Sequence, residues 1–188
     1  MPRRQVSFFV GGYYHIYNRG NNHEAIFFER ENFLFFLRQL RKYFLRDAVE
    51  IIAYCLIPNH YHLLIHRKTD ALADILQRFT LSYSKAIGKR YNRVGTLFQG
   101  PFKAILVEKE EYLLELSRYI HLNPVKAGLV THAEDWEFSS SRDYIEMRDG
   151  TLIVRDIIQA YIPTPQAYRE FVESHQENHK LIEQLEID

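Results

Sequence analysis

His60 and His62 flank a single aromatic, Tyr61, directly after Pro58-Asn59 and directly before the apolar run Leu63-Leu64-Ile65. Imidazole is both a metal ligand and an acid–base group, so two of them at this spacing are candidates for chemistry. A β-strand repeats every two residues. On a strand both rings therefore leave the same face, close enough to share one divalent ion. The residues that follow are β-formers, which makes the strand reading natural. An isolated His-x-His is also what two ordinary strand histidines look like, so the pair needs a second feature.

That feature is Ser117-Arg118-Tyr119-Ile120-His121-Leu122-Asn123-Pro124. It closes an amphipathic stretch that starts near Glu108, with Tyr112, Leu113, Leu116 and Ile120 at the spacing of one helical face. At 100° per residue Tyr119 and Asn123 lie one turn apart on the border of that face, and His121 points to the opposite side. A tyrosine hydroxyl and an amide oxygen are thus presented together. Pro124 disfavours a helical Asn123 and is expected to end the helix there. Taken alone, the segment reads first as a capping asparagine beside a half-buried tyrosine.

Together the two segments resemble a known family. Pro-Asn-His-x-His-Leu-Leu followed by Tyr-Ile-x-Leu-Asn-Pro-Val-Lys-Ala-Gly-Leu-Val is the pattern of the HUH single-tyrosine transposases, and it looks most like the REP-associated tyrosine transposases, relatives of the IS200/IS605 enzymes. The resemblance runs from about Tyr13 to Tyr144. It includes Tyr14-His15-Ile16-Tyr17-Asn18-Arg19-Gly20, the basic helix before Gly95-Thr96-Leu97-Phe98-Gln99, and Trp136-Glu137-Phe138-Ser139-Ser140. Pro101 stands in a neighbourhood where relatives often carry a further basic residue. The resemblance implies a metal-dependent endonuclease and strand transferase acting on single-stranded or hairpin DNA of the REP-palindrome kind. His60, His62 and Asn123 would hold one ion, magnesium or manganese, and Tyr119 would be the nucleophile that becomes linked to a 5′-phosphate. An unperturbed tyrosine has a pKa near ~10, so such a site must activate it. By ligand type alone, two imidazoles and an amide suit manganese better than magnesium, and zinc better still. Two other classes stay open: a hairpin-binding protein without catalysis, and a zinc-dependent hydrolase with a third ligand not visible in the sequence.

The elements that must position these residues follow from periodicity. Tyr13–Tyr17 predicts a strand, about Glu31 to Arg46 a helix with Phe33, Phe36, Leu37, Leu40 and Phe44 as its stripe, and Glu50–Ile57 a nearly continuous apolar strand. Pro58-Asn59 joins it to the His strand as an antiparallel pair. A helix from about Asp70 to Tyr91 follows, capped by Thr69 or Asp70, then a strand from about Thr96 to Val107, then the Tyr119 helix. The order β-α-β-β-α-β plus a helix is the ferredoxin-like split βαβ pattern, an α+β fold. Two long helices should cover one sheet face over Tyr61, Leu63 and Ile65, leaving His60 and His62 on the other, near the tyrosine helix. His66 is too far along the strand to join the same ion, and His121, His132, His175 and His179 are read as non-ligands. His15 is read as a strand histidine packed in the core rather than a third ligand.

A formal net charge of zero hides an uneven distribution. Residues 1–133 carry 19 Lys/Arg against 11 Asp/Glu, and residues 134–188 carry 5 against 13. This divides the chain into a catalytic and DNA-binding region, 1–133, and an acidic helical extension, 134–188, expected to pack back on it. Thr164-Pro165 should start a helix there, with Tyr168, Phe171, Val172, His175 and Ile182 at helical spacing. In the basic helix Arg78, Ser82, Lys85 and Lys89 share one exposed face, and Arg90 and Arg93 continue past it. Such a face fits phosphate contact. Arg19 and Lys103 complete the candidate DNA contacts. The single cysteine, Cys55, excludes an internal disulfide and fits a reducing cytoplasm. No apolar run approaches membrane-spanning length, and both a monomer and a homodimer stay open.

Overall fold

Pro58 and Asn59 alone separate two of the most apolar stretches of the chain, and they form the turn of a tight hairpin. Strands β2 (Val49–Ile57) and β3 (His60–Arg67) pair antiparallel across it, with Ile57 opposite His60 and Cys55 opposite His62. β1 (Tyr13–Arg19) pairs with the other side of β3, placing Arg19 opposite His60 and Tyr17 opposite His62. β4 (Lys103–Val107) completes the sheet in the order β2-β3-β1-β4. Helix α1 (Arg30–Tyr43) connects β1 to β2, and α2 (Leu72–Arg90) connects β3 to β4. This is the split βαβ arrangement expected from the element order. The structure, a computed structural model, describes residues 8–174. His175, His179 and Ile182 lie outside them.

The two-residue strand repeat divides the side chains between two faces. Tyr61, Leu63 and Ile65 are fully buried under α1 and α2. Phe36 sits at the centre of that layer, with ring centroids 5.0 Å from Tyr61, 4.8 Å from Phe79 and 4.9 Å from Tyr83. The opposite face is covered by α3 (Glu110–Lys126), which packs mainly on β2 and β3.

Several expected boundaries move. Helix α3 does not stop before Pro124 but runs on to Lys126. Proline removes one backbone donor, yet Ala127 and Leu129 N–H groups still reach the Asn123 and Pro124 carbonyls at 2.9 Å, and Gly128 (φ +68°) takes the left-handed turn that closes the helix. The strand expected from Thr96 begins only at Lys103, because Pro101 cannot donate to a ladder and Gly95 has φ +89°. Only an isolated Gly20–Phe98 bridge remains of the earlier part. Neither Thr69 nor Asp70 caps α2. Ala71 occupies that position, and Asp70 instead pairs with Arg67 at 2.6 Å. Helix α1 ends at Tyr43, short of Arg46.

The segment after α3 closes the free edge of the sheet. Leu56 and Ser140 N–H groups donate to the Phe138 and Tyr54 carbonyls at 3.0 and 2.9 Å, and Val154 N–H to Ile51 at 2.8 Å. An edge strand is thereby given backbone partners. Short helices α4 (Ser141–Tyr144) and α5 (Asp156–Gln159) lead to α6 (Pro165–Glu173). Thr164 caps α6, its hydroxyl accepting from Ala167 N–H at 3.1 Å, as its sequence predicts. α6 packs on the outer side of α3, so α3 is buried on both sides. Among the described residues no helix is long and apolar enough to cross a membrane.

Candidate active site

On the α3 face, four side chains meet. His60 Nε2 lies 2.9 Å from Asn123 Oδ1, and His62 Nε2 lies 3.3 Å from Asn123 Nδ2. The two imidazole rings are 4.9 Å apart and perpendicular. Tyr119, one turn before Asn123, sets its ring edge-on to His62 at 5.7 Å. The helical spacing read from the sequence therefore delivers hydroxyl and amide to the same strand pair. The second nitrogen of each imidazole is also held. His60 Nδ1 is 2.8 Å from Asn59 Oδ1, and His62 Nδ1 is 2.9 Å from His15 Nε2.

Burial sets the charge state. Removal from water pushes His60 down to about 4, against a smaller upward pull from its Asn123 hydrogen bond, and pushes His62 well below its usual value, helped by the neighbouring His15 and His60. Both rings are neutral near pH 7, the form that offers a lone pair to a metal. Ligands about 2.1 Å from one ion and at right angles stand roughly 3 Å apart. The 2.9 Å between His60 Nε2 and Asn123 Oδ1 matches that spacing, and His62 Nε2 stands beside the same amide, facing its nitrogen at 3.3 Å, so two imidazoles and one amide oxygen converge where a small divalent ion would fit. Among the described residues no group of three or more His, Cys, Asp or Glu is arranged to hold a metal. The third donor here is an amide.

The candidate DNA contacts fall into two sets. Arg19 and Lys103 stand beside the histidines and border a cavity of about 300 Å³ with Tyr17, Gln99 and Pro101. Lys103 Nζ rests 5.5 Å over the Tyr17 ring. Arg78, Lys85, Lys89, Arg90 and Arg93 belong to α2 and its end, on the other face. Lys85 and Lys89 are exposed. Arg78 is paired with Asp74 at 2.7 Å, Arg90 with Glu29 and Arg93 with Glu24, both at 2.6 Å. The basic stripe is thus partly neutralised, by Asp74 one turn away on the same helix and by Glu24 and Glu29 from the segment before α1. A larger cavity of about 650 Å³ lies between α2 and residues 93–102, lined by Leu81, Leu97, Phe98 and Phe102. Lys85 and Arg93 also line it, but the imidazoles and the amide converge on the opposite, histidine face.

The remaining histidines have other partners. His66 pairs with Glu50 at 2.9 Å, and His132 lies 3.7 Å from Glu173. His121 does face away from the sheet. It is nevertheless fully buried, between Ser140 Oγ and Tyr168 OH, each at 2.7 Å. Three participants escaped the sequence reading. Lys126 places its ammonium 4.9 Å over the Tyr119 ring, a contact that seven-residue spacing on one helix could have suggested. Tyr17 and the His15–His62 contact depend on the β1–β3 register, which no local pattern encodes.

Comparison with known proteins bears on the fold and the family. A curated Haemophilus influenzae protein named as a REP-associated tyrosine transposase is 29% identical over 103 residues, 48% of this chain and 58% of the relative. The chain thus spans little more than half the length of that relative. The solved structure of a REP-associated tyrosine transposase bound to a REP hairpin superposes with a TM-score of 0.63 over 82% of this chain and 98% of the other. At 18% identity, that likeness speaks for the fold. The model of the IS200-like transposases matches residues 9–123, more than half of the sequence and all four positions that meet on the α3 face, and the chain belongs to that family.

Proposed function

We propose that this protein is a metal-dependent single-strand DNA endonuclease and strand transferase that cleaves beside DNA hairpins. The observation that carries the reading is the convergence of His60 and His62 on Asn123, each within 3.3 Å of its amide, with Tyr119 one helical turn away. A bound magnesium or manganese ion supplies Lewis-acid polarisation of the scissile phosphate. His60 and His62 hold that ion with neutral imidazoles, and Asn123 adds an amide oxygen. Tyr119, fixed by the two-sided burial of α3, presents its hydroxyl to the phosphorus. Its oxygen forms the new bond as the 3′-oxygen leaves; the phenol proton is lost and the departing oxygen gains one. The product is a 5′-phosphotyrosine and a free 3′-hydroxyl, and the ester keeps the energy needed to rejoin strands. Lys126 brings positive charge beside the nucleophile. Arg19 and Lys103 line the adjoining cavity, where the strand would enter.

Hairpins of the REP kind are the proposed substrate, because the Haemophilus influenzae relative is named as REP-associated and the matching structure is of a protein bound to a REP hairpin. The experiment is a denaturing-gel assay for a covalent protein–DNA adduct on single-stranded hairpin substrates, with and without magnesium or manganese. A metal-dependent adduct is expected. Hairpin binding without any adduct would make the protein a binding module, and hydrolysis without an adduct would make it a hydrolase.

A further inference from the structure

His15 is fully buried on β1, and no step above uses it. Its Nε2 lies 2.9 Å from His62 Nδ1, the two rings are nearly parallel at 16° with centroids 5.1 Å apart, and Tyr17 lies close to both, 4.8 Å from His15 and 5.9 Å from His62. Its other nitrogen, Nδ1, is buried without a hydrogen-bond partner among the described residues. A side chain present only to fill space would be served better by an apolar residue, which leaves no buried polar atom alone.

Hydrogen-bond direction gives the arrangement a purpose. For His62 to offer the Nε2 lone pair, its proton must sit on Nδ1. His62 Nδ1–H then donates to His15 Nε2, which must be bare, and the His15 proton falls on the unpartnered Nδ1. The Asn123 amide agrees, since its Nδ2 is the group facing His62 Nε2 at 3.3 Å and requires an acceptor there. We propose that His15 is a positioning residue for the metal site: by accepting from His62 it fixes the tautomer and rotation that aim Nε2 at the ion. An outer hydrogen-bond partner of this kind fixes ring orientation and raises ligand basicity. The inference rests on the metal site proposed above.

The test titrates manganese alone into the full-length protein, following free ion by electron paramagnetic resonance, for wild type, His15→Leu, His15→Gln and His62→Ala. His15→Leu should weaken manganese binding by on the order of 10–100-fold. His15→Gln should restore most of it, because its amide oxygen can reach the place of Nε2. Metal-free hairpin affinity should be unchanged in both. Nitrogen-15 NMR of the magnesium form should show His62 protonated at Nδ1 in wild type and the Gln variant. If His62→Ala loses manganese binding while His15→Leu keeps wild-type affinity, the role given to His15 is wrong and the metal site stands. If His62→Ala also binds normally, the site and this inference fall together. Should the Leu variant not fold, wild-type NMR still decides: a His62 proton on Nε2 overturns the proposal.

Discussion

The two faces of the sheet bury rings for different ends. Under α1 and α2, Phe36, Tyr61, Phe79 and Tyr83 pack ring against ring, and what matters is volume and shape. Under α3 the rings are His15, His62, Tyr119 and, half-covered, His60, and the imidazoles are tied to one another and to Asn123 by polar contacts. Loss of a ring on the first face should cost stability and spare chemistry. Loss of a polar atom on the second should do the reverse. The sharpest contrast pairs Tyr119→Phe with Phe36→Ala. The first removes one oxygen from a side chain 9% exposed and should leave the melting temperature near wild type while abolishing the covalent adduct. The second should cost about 3–5 kcal/mol of stability in urea unfolding, yet adduct formation per folded molecule should survive. An adduct in the Tyr119→Phe variant would move the nucleophile to another tyrosine.

Next in size come the proposed ligands. His60→Ala and His62→Ala should each cut metal affinity by more than the 10–100-fold typical of losing an outer partner, with metal-free hairpin binding almost unchanged. Asn123→Ala should be milder, because water can replace one neutral amide. Isothermal titration with manganese ranks the three. Equal affinities throughout would dissociate this face from metal.

Much of this contrast was readable from sequence because both faces rest on local periods. The alternation of β3 assigned His60 and Tyr61 to opposite sides, and helical spacing put Tyr119 and Asn123 together. Resemblance to a family added which of several chemistries to expect. What stayed hidden was non-local. The β1–β3 register that sets His15 against His62 depends on pairing between residues 47 positions apart. The edge closure by Phe138, Ser140 and Val154 arises in a stretch with little periodicity of its own. The acids that neutralise Arg90 and Arg93 lie on the distant segment before α1. Pro124 misled for a local reason: a proline in the last helical turn costs one hydrogen bond and need not end the helix.

Charges on the two faces should also separate. Reversing Lys85 and Lys89 to Glu should lower the slope of log affinity against log salt by roughly 0.7 to 0.9 per lost phosphate contact, without changing cleavage at saturating DNA. Adding Arg78→Glu should contribute less, because Asp74 already holds that guanidinium. Arg19→Ala and Lys103→Ala, beside the histidines, should reduce both affinity and cleavage. An unchanged slope in the Lys85 and Lys89 double variant would show that α2 is a solvated surface and that the DNA keeps to the cavity by Tyr17.

The smallest expected effect concerns the outer side of α3, where His121 links the helix to the C-terminal segment through Ser140 and Tyr168. Burial pushes this imidazole down to about 3, with Arg148 adding a smaller push. In the unfolded chain it titrates near its ordinary value of about 6.5. Between these values the unfolded chain binds a proton that the folded one does not, so stability is fully present above about 6.5 and falls as pH drops through the window. One such histidine contributes a slope of at most ~1.4 kcal/mol per pH unit. Urea unfolding at pH 7, 6 and 5 should show stability declining in the wild type. His121→Gln keeps a polar side chain but cannot titrate, so its decline should be shallower by up to that amount. The difference should appear below pH 6.5 and vanish above it. A variant whose stability runs parallel to wild type from pH 7 to 5 would mean that His121 is protonated in the folded protein, and that the contact joining α3 to α6 carries charge rather than a neutral hydrogen-bonded ring.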